Sequence, residues 1–148
     1  MPRVSVIIPT YNRPALLRET LESVSNQTFT DFEIIVVDDG STDQTHQRLK
    51  PWTETGKITL LSQAQSGPGS ARNYGAGFAR GEILVFTDSD CLPVPAWLSA
   101  FAEEYLTNPS IVAVGGPIFN VEEGSLLRQF QARRQCDHIA NHHTSPRY

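Results

Sequence analysis

The sequence predicts an α/β fold built on a mostly parallel β-sheet. Two observations carry this prediction. Short apolar runs rich in Val and Ile alternate along the chain with segments whose apolar residues recur at helical spacing. Proline, glycine or acidic residues follow most of the apolar runs and mark the places where strands end. At 148 residues, the chain suits one domain with a single core.

The first strand and helix occupy the start of the chain. Residues 4–8 (VSVII) are mostly β-branched and apolar apart from Ser5, which predicts a buried strand that Pro9 ends. Pro14 then favours the start of a helix, because the first turn does not need its missing N–H. Apolar side chains recur on one face of this predicted helix, at Leu17, Leu21 and Val24.

Residues 32–37 (FEIIVV) predict the second strand, which leads into two acidic residues. A second helix should open at Ser41, because Ser41 and Gln44 have the spacing of a capping box. Pro51 and Gly56 predict the end of that helix.

Residues 57–61 form a weaker third strand pattern. Residues 66–69 (SGPG) then lead into a third helix, which Gly81 should end as its C-terminal glycine. Residues 82–87 predict the fourth strand. The apolar residues of the third helix are Ala71, Tyr74 and Phe78.

The last part of the chain begins with a clear helical stripe and then loses its pattern. Residues 97–106 predict a fourth helix with an apolar core face, which the Asn-Pro pair at 108–109 ends. Residues 111–114 (IVAV) predict a fifth strand. From Glu122 a helical pattern resumes and fades into a polar end, so we expect a chain that stops before its fold is complete.

Charge and composition argue against several classes of protein. The chain has 12 Lys and Arg against 16 Asp and Glu, a formal net charge of −4. We expect no nucleic-acid partner, because binding to a phosphate backbone needs clustered basic residues. No apolar stretch approaches the roughly 20 residues of a membrane helix, and no signal pattern opens the chain. Cys91 and Cys136 lack metal-ligand spacing, so we expect a soluble protein of the reducing cytoplasm.

Polar side chains follow three of the predicted strands. Residues 10–12 (TYN) come after the first strand, Asp38 and Asp39 after the second, and Asp88 and Asp90 after the fourth. Because the carboxyl ends of parallel strands meet at one edge of a sheet, these groups can converge on one ligand. Two carboxylates beside a buried strand need compensation, which a hard divalent cation supplies. Such a cation would carry the charge of a phosphate, so this edge points to phosphate-ester chemistry.

Less specific interpretations of the same residues stay open at this point. The acidic pairs can simply cap the loops and helices that follow them. Tyr11 can stack on a base or pack at a rim, and Arg72 can clamp a ligand or form a surface ion pair. Residues 66–69 lack the Gly-Lys-Ser/Thr ending of a phosphate-binding P-loop. His138 and His142 have helical spacing without an accompanying glutamate, so we predict no metal site there.

Five segments resemble, in this order, the nucleotide-sugar half of inverting family 2 glycosyltransferases with the GT-A fold. They are VSVIIPTYNR at 4–13, IIVVDDGSTD at 34–43, GSARNYG at 69–75, GEI at 81–83 and FTDSD at 86–90. The resemblance implies a Rossmann-like, open and mostly parallel sheet with helices on both faces. It also implies a nucleotide-sugar-binding core at residues 1–117 and the start of an incomplete acceptor-side region at residues 118–148.

For the nucleobase, the resemblance assigns residues near the first two strand ends and one arginine. Pro9 and Tyr11 match the loop that contacts the base, and Asp39 matches the residue that reads uracil or a similar pyrimidine. Asp38 matches a position that is more often structural. Arg72 matches an arginine near the base and the phosphates.

For the diphosphate, the resemblance assigns the FTDSD segment. Asp88 and Ser89 would face the ribose and the diphosphate, and Asp90 would bind Mg²⁺ or Mn²⁺. The cation would stabilise the nucleoside diphosphate that leaves when the sugar is transferred. A separate carboxylate would deprotonate the acceptor hydroxyl, so that one in-line displacement inverts the sugar carbon.

The sequence departs from the family pattern at this catalytic base. In the family the base lies well beyond the metal motif, and Asp137 is the only aspartate late in this chain. Its surroundings do not match the family pattern. We therefore expect the base to lie beyond Tyr148, in a chain that is truncated at its C-terminus.

The resemblance implies a metal-dependent enzyme that moves a sugar from a UDP- or dTDP-sugar to a hydroxyl of an unidentified saccharide, lipid-linked or protein acceptor. It implies a setting in surface-polysaccharide synthesis in the cytoplasm, at the inner face of the membrane through other regions or partners. A non-catalytic nucleotide-sugar-binding module is the alternative that a missing base would produce. A nucleotidyltransferase is less favoured, because no Gly-rich loop with Lys or Arg follows the first strand.

Overall fold

The computed structural model describes residues 1–108 and 110–116. Strands and helices alternate along its first compact unit, Met1–Thr107, and Asn108–Tyr148 belong to a second unit. The elements are β1 (Val4–Thr10), α1 (Pro14–Ser25), β2 (Phe32–Asp38), α2 (Thr45–Glu54), β3 (Thr59–Ser62), α3 (Pro68–Ala76), β4 (Ile83–Phe86) and α4 (Trp97–Thr107).

The four strands form one parallel sheet in the order β3-β2-β1-β4. β1 is central, and all of its seven residues are buried. It pairs with β2 along its whole length, but with β4 only as far as Ile7↔Phe86. The predicted parallel α/β sheet is therefore confirmed.

Helices cover both faces of the sheet. On one face α1, α2 and α4 pack on alternate strand residues, and on the other α3 packs through Ala71. The first face buries Val4, Val6, Ile8, Leu17, Leu21, Val24, Ile34, Val36, Leu49, Ile83, Val85 and Leu98. The second face buries Ile7, Ile35 and Val37. This arrangement confirms the open sheet with two helix layers and the predicted core face of α1.

β1 does not end before Pro9, as the sequence predicts, but continues to Thr10. The carbonyl of Ile7 accepts the N–H of Thr87 on the β4 side, and the carbonyl of Thr10 accepts the N–H of Asp39 on the β2 side. Because bonding directions alternate along a strand, the missing N–H of Pro9 would point towards the β4 side, where the β1–β4 ladder has already ended. The proline therefore costs the sheet no hydrogen bond.

The predicted capping box at Ser41 is wrong, because α2 begins only at Thr45. The hydroxyl of Ser41 instead accepts the backbone N–H of Asn12 at 2.9 Å. Asp43 stabilises the start of the helix instead. Its Oδ1 accepts hydrogen bonds from the backbone N–H of Thr45 at 2.9 Å and from the hydroxyl of Thr45 at 2.5 Å. The polar residues before α2 thus serve a contact between loops, which spacing alone does not reveal.

Of the two residues that the sequence predicts to end α2, only Gly56 does so. Pro51 lies inside the helix and has no N–H to donate to the carbonyl of Gln47. Both residues are exposed, so water can solvate this carbonyl. Gly56 does end the helix, with a positive φ of 68°. The N–H groups of Gly56 and Lys57 bond back to the carbonyls of Thr53 and Trp52, each at 3.0 Å, as in a Schellman motif.

The third helix buries small residues rather than the aromatic ones that its pattern contains. Tyr74 and Phe78 are exposed, and their rings meet edge to face with centroids 5.1 Å apart. The buried residues of α3 are Ala71 and Gly75. A Cβ atom on Gly75 would lie 2.7 Å from Cγ2 of Ile7, so this helix sits too close to the sheet for a larger residue.

Gly81 does not end α3, which stops at Ala76. It lies over the start of β1, where its N–H donates to Oγ of Ser5 at 2.8 Å and an added Cβ would lie 2.6 Å from the backbone N of Ser5. Ser5 in turn donates to Glu33 at 2.7 Å, and Arg80 donates two side-chain hydrogen bonds to the same carboxylate. This network, which we call the strand-start cluster (Ser5, Glu33, Arg80 and Gly81), ties together the N-terminal edge of the sheet.

Residues 111–116 do not form the predicted fifth strand. Val112 and Val114 are exposed, and a β-branched composition favours a strand only where packing and a neighbouring ladder support it. The helical pattern from Glu122 lies outside the described residues. Within residues 1–108 and 110–116, no helix is long and apolar enough to cross a membrane.

Candidate functional site

Asn12 joins the first two loops at the C-terminal edge of the sheet. It has a positive φ of 51°, a conformation in which asparagine is several-fold enriched. Its Oδ1 accepts the backbone N–H groups of Thr42 at 2.8 Å and Asp43 at 3.3 Å, and its own N–H donates to Ser41. The loop after β1 and the loop after β2 are therefore held together, with Tyr11 and Arg13 on either side of the joining residue.

Asp38 and Asp39 are neighbours in sequence but serve different partners, because side chains alternate along an extended chain. Asp38 is buried and accepts the N–H of Ser41 at 3.0 Å, and its Oδ2 lies 2.8 Å from Nε2 of His46 on α2. Asp39 is also buried, at 5% exposed, but its partners are in the loop that leads into α3. Asp38 thus has structural contacts, as the family resemblance implies.

Three donors hold the carboxylate of Asp39. Oδ1 accepts hydrogen bonds from Nε2 of Gln63 at 2.7 Å and from the backbone N–H of Ser66 at 2.9 Å. Oδ2 accepts one from the backbone N–H of Gly67 at 2.8 Å. Burial by itself would raise the pKa of Asp39, but these hydrogen bonds outweigh it and lower the pKa below its usual range. Asp39 is therefore an anion, and Oδ2 retains one acceptor position for an N–H or O–H of a ligand.

The two residues assigned to the base loop differ in exposure. Pro9 is buried at the end of β1, whereas the side chain of Tyr11 is 37% exposed. An exposed aromatic ring has room to stack on a planar base, and Tyr11 follows Thr10, whose carbonyl accepts the backbone N–H of Asp39. Pro9 can act only through the small part of its ring that solvent reaches, and the base contacts of both residues stay predictions.

An arginine is paired with each aspartate of the FTDSD segment. Arg72, on the first turns of α3, donates to Oδ1 of Asp88, and Arg13, just before α1, donates to Oδ2 of Asp90 at 2.5 Å. Ser89 lies between the two acids and is 5% exposed. The sequence singled out Arg72 as a candidate ligand contact or ion-pair partner but did not single out Arg13, since no spacing rule relates residues 77 positions apart. Gln63, the partner of Asp39, was missed for the same reason.

The chemistry of these acids fits a divalent cation that is shared with a ligand. No cluster of three or more His, Cys, Asp or Glu residues in the described part of the chain could hold a metal ion by itself. Mg²⁺ commonly binds through one or two carboxylates and takes its other ligands from phosphates and water. Asp90, whose side chain is 41% exposed, can supply such a carboxylate, with Asp88 beside it. The catalytic base has no assigned residue, and Asp137, His138 and His142 lie outside the described residues.

Comparison with known proteins gives consistent matches. The family model for Glycosyl transferase family 2 matches residues 5–145. The GalNAc(5)-diNAcBac-PP-undecaprenol beta-1,3-glucosyltransferase of Campylobacter jejuni is 35% identical over 136 residues, which cover 90% of this chain and 43% of that protein. Among solved structures, Staphylococcus aureus TarS 1-349 in complex with UDP matches with a TM-score of 0.67 and 32% identity, over 80% of this chain and 38% of that one.

A second solved structure is that of a mannosyltransferase. The mannosyltransferase PcManGT from Pyrobaculum calidifontis, in complex with GDP-Man and Mn²⁺, matches with a TM-score of 0.64 and 36% identity, over 74% of this chain and 34% of that one. The chain therefore spans less than half the length of each of these three proteins.

Proposed function

This chain belongs to glycosyltransferase family 2, and we propose that its residues 1–117 bind the nucleotide part of a UDP- or dTDP-sugar. The proposed reaction is transfer of the sugar to an acceptor hydroxyl with inversion. The observation that carries the proposal is the arrangement at the C-terminal edge of the sheet. There, Asp39 follows β2 and Tyr11 follows the neighbouring strand β1. Asp39 is a buried anion whose Oδ2 accepts one hydrogen bond and has a further acceptor position, and Tyr11 is exposed.

Base recognition is proposed to use the two chemical features of a pyrimidine. Its flat face would stack on Tyr11, and its ring N–H would donate to the free acceptor position on Oδ2 of Asp39. Because Gln63 and two backbone N–H groups fix this carboxylate, it does not have to be ordered when the ligand binds. TarS binds UDP and PcManGT binds GDP-Man, so related chains accept different bases. Uracil and thymine both offer a ring N–H to this anionic acceptor, which is the basis for proposing a UDP- or dTDP-sugar.

Diphosphate binding is proposed to involve Asp88, Ser89 and Arg72, with a Mg²⁺ or Mn²⁺ ion at Asp90. When bound, the cation would neutralise the charge that develops on the departing nucleoside diphosphate. The protein side of this arrangement is a strand end that presents two carboxylates beside two guanidinium groups. The mannosyltransferase PcManGT was solved with Mn²⁺, which supports a divalent ion in this family.

No residue of the described chain is assigned to the acceptor or to the base that activates it. The relative from C. jejuni is named for an undecaprenol-linked substrate, and we propose a lipid-linked or saccharide acceptor of that general kind at the inner face of a membrane. A non-catalytic nucleotide-sugar-binding module is the second candidate. It is kept because every residue assigned to the donor lies between Pro9 and Asp90, and donor binding by these residues alone needs no base.

The proposal is tested by calorimetric titration of UDP into the protein with and without Mn²⁺. We expect Mn²⁺ to strengthen UDP binding to the wild type and to have little effect on Asp90→Ala. Asp31→Ala is the matched control, because Asp31 is an exposed aspartate just before β2, at the other edge of the sheet. UDP binding of equal strength with and without Mn²⁺ in wild type and Asp90→Ala would refute the role of Asp90. Transfer assays with a longer chain then separate the enzyme from the binding module.

A further inference from the structure

Arg13 forms an ion pair with Asp90, and the proposed function assigns no role to this arginine. NH1 of Arg13 lies 2.5 Å from Oδ2 of Asp90, the carboxylate that we assign to the divalent cation. The two residues are 77 positions apart, and both side chains are partly exposed, at 52% and 41%. The contact is therefore made by the fold rather than by local sequence, and water can reach and exchange with both partners.

From this geometry we propose that Arg13 is a built-in counter-ion that competes with the divalent cation for Asp90. The inference rests on the proposed role of Asp90. A guanidinium and a metal ion at the same carboxylate repel each other, because two positive charges a few ångströms apart interact unfavourably. Cation binding at Asp90 is therefore weakened while Arg13 holds Oδ2 and is favoured when Arg13 leaves it.

The neighbouring ion pair makes the exchange selective for Asp90. Arg72 reaches Asp88 from within α3, and its side chain is 33% exposed, less than that of Arg13. Arg13 precedes the first residue of α1 and has no helical backbone on its N-terminal side, where Asn12 fixes the chain. Arg13 can thus swing away by side-chain rotation, while Asn12 and the pair between Arg72 and Asp88 keep the site in place.

Competition of this kind links the cation to the nucleotide. A diphosphate offers Arg13 an alternative anionic partner, because guanidinium groups form strong bidentate hydrogen bonds with phosphate oxygens. It also supplies oxygen ligands to the cation. Metal binding without nucleotide is therefore weakened by Arg13, and the cation enters together with the diphosphate rather than before it.

The test measures Mn²⁺ binding without nucleotide, through the electron paramagnetic resonance signal of free Mn²⁺. Arg13→Gln removes the competing charge, and we expect Mn²⁺ affinity to rise roughly two- to fivefold, the range that an exposed ion pair spans. Arg18→Gln is the matched control, because Arg18 is an exposed arginine on α1 that pairs with Glu22 within its own helix. It should leave the affinity unchanged. Arg13→Lys keeps the charge and should stay close to the wild type.

A second background shows whether the effect passes through Asp90. In Asp90→Asn, Arg13→Gln should no longer change Mn²⁺ affinity. An unchanged affinity in Arg13→Gln, alongside Mn²⁺-dependent UDP binding that requires Asp90, would overturn the role of Arg13 and leave the proposed function intact. Equal gains in Arg13→Gln and Arg18→Gln would also overturn it, as a general charge effect. Mn²⁺ binding in none of the variants, with or without UDP, would overturn both proposals.

Discussion

Gly75 is the position where one methyl group should measure how closely α3 lies on the sheet. A Cβ atom there would lie 2.7 Å from Cγ2 of Ile7 and 2.9 Å from Cγ2 of Val37. Both distances are too short for carbon atoms, and both neighbours are fully buried strand residues that cannot rotate into open space. We therefore expect Gly75→Ala to push α3 away from β1 and β2.

The expected size follows from two opposing effects. Overpacking a core by one carbon costs about 1–3 kcal/mol, whereas replacing Gly by Ala inside a helix stabilises by about 1 kcal/mol. Gly75→Ala should therefore lower the free energy of unfolding by about 0–2 kcal/mol. Gly69→Ala lies in the same helix with no atom within 4 Å of the added Cβ, so it receives only the favourable effect, up to about 1 kcal/mol.

Urea unfolding of the two variants and the wild type measures the difference, which we expect to be about 1–3 kcal/mol. The comparison is internal, because both variants make the same chemical change in one helix. Since α3 carries Arg72 and follows Gly67, Gly75→Ala should also weaken UDP binding. Equal changes in the free energy of unfolding for Gly75→Ala and Gly69→Ala would refute the close packing of α3 on the sheet.

Two further predictions concern the edges of the sheet. Burial alone would raise the pKa of Glu33, but hydrogen bonds from Ser5 and Arg80 lower it further than burial raises it. The stability that Glu33 contributes is thus fully present above the pKa that this carboxyl group has in the unfolded chain. It is lost as the pH falls through the lower pKa of the folded protein. Glu33→Gln should therefore destabilise the protein by about 1–2 kcal/mol at pH 7 and by less near pH 3. At the other edge, Asn12→Gly and Asn12→Ala should both weaken UDP binding, because they release the two loops that Asn12 joins. Asn12→Ala should cost up to about 1 kcal/mol more in unfolding, since alanine disfavours a positive φ.

Each of these predictions has an outcome that would contradict it. Glu22→Gln, at an exposed helical pair, is the control for Glu33. A Glu33→Gln variant that differs from the wild type by the same amount at pH 7 and pH 3 would show that its ionisation does not contribute. For Asn12, urea unfolding and UDP calorimetry provide the two measurements. Equal stability of the Gly and Ala variants would mean that the left-handed conformation is not under strain, and unchanged UDP affinity would separate the loop contact from the ligand.

The sheet was predictable because its signals are local. The β1 and β2 patterns each contain a run of consecutive Val and Ile residues, which is typical of a strand buried on both faces. The beginning of α2 and the end of α3 were not predictable, because Ser41 and Gly81 are engaged with Asn12 and Ser5, residues remote in sequence. A capping pattern gives the same spacing whether its serine bonds its own helix or another loop.

The candidate site was predictable in its residues but not in its pairing. The resemblance gave Asp39, Arg72 and the acids of the FTDSD segment, which the fold brings to one edge of the sheet. It did not give Gln63 or Arg13, because contacts between side chains of separate loops depend on the assembled backbone. Sequence therefore indicated which edge of the sheet carries the candidate site, whereas the ion pairs at that edge required the three-dimensional structure.

The strand-start cluster, at the edge remote from these acids, has a consequence for how such a chain can evolve. Glu33 and its partners lock β1, β2 and the approach to β4 together without using any residue assigned to the donor. The residues that hold the strand starts together are thus physically separate from those assigned to the donor. Loops at the donor edge can change their base or sugar preference at little cost in folding free energy. One scaffold can in this way be inherited by transferases with many different substrates.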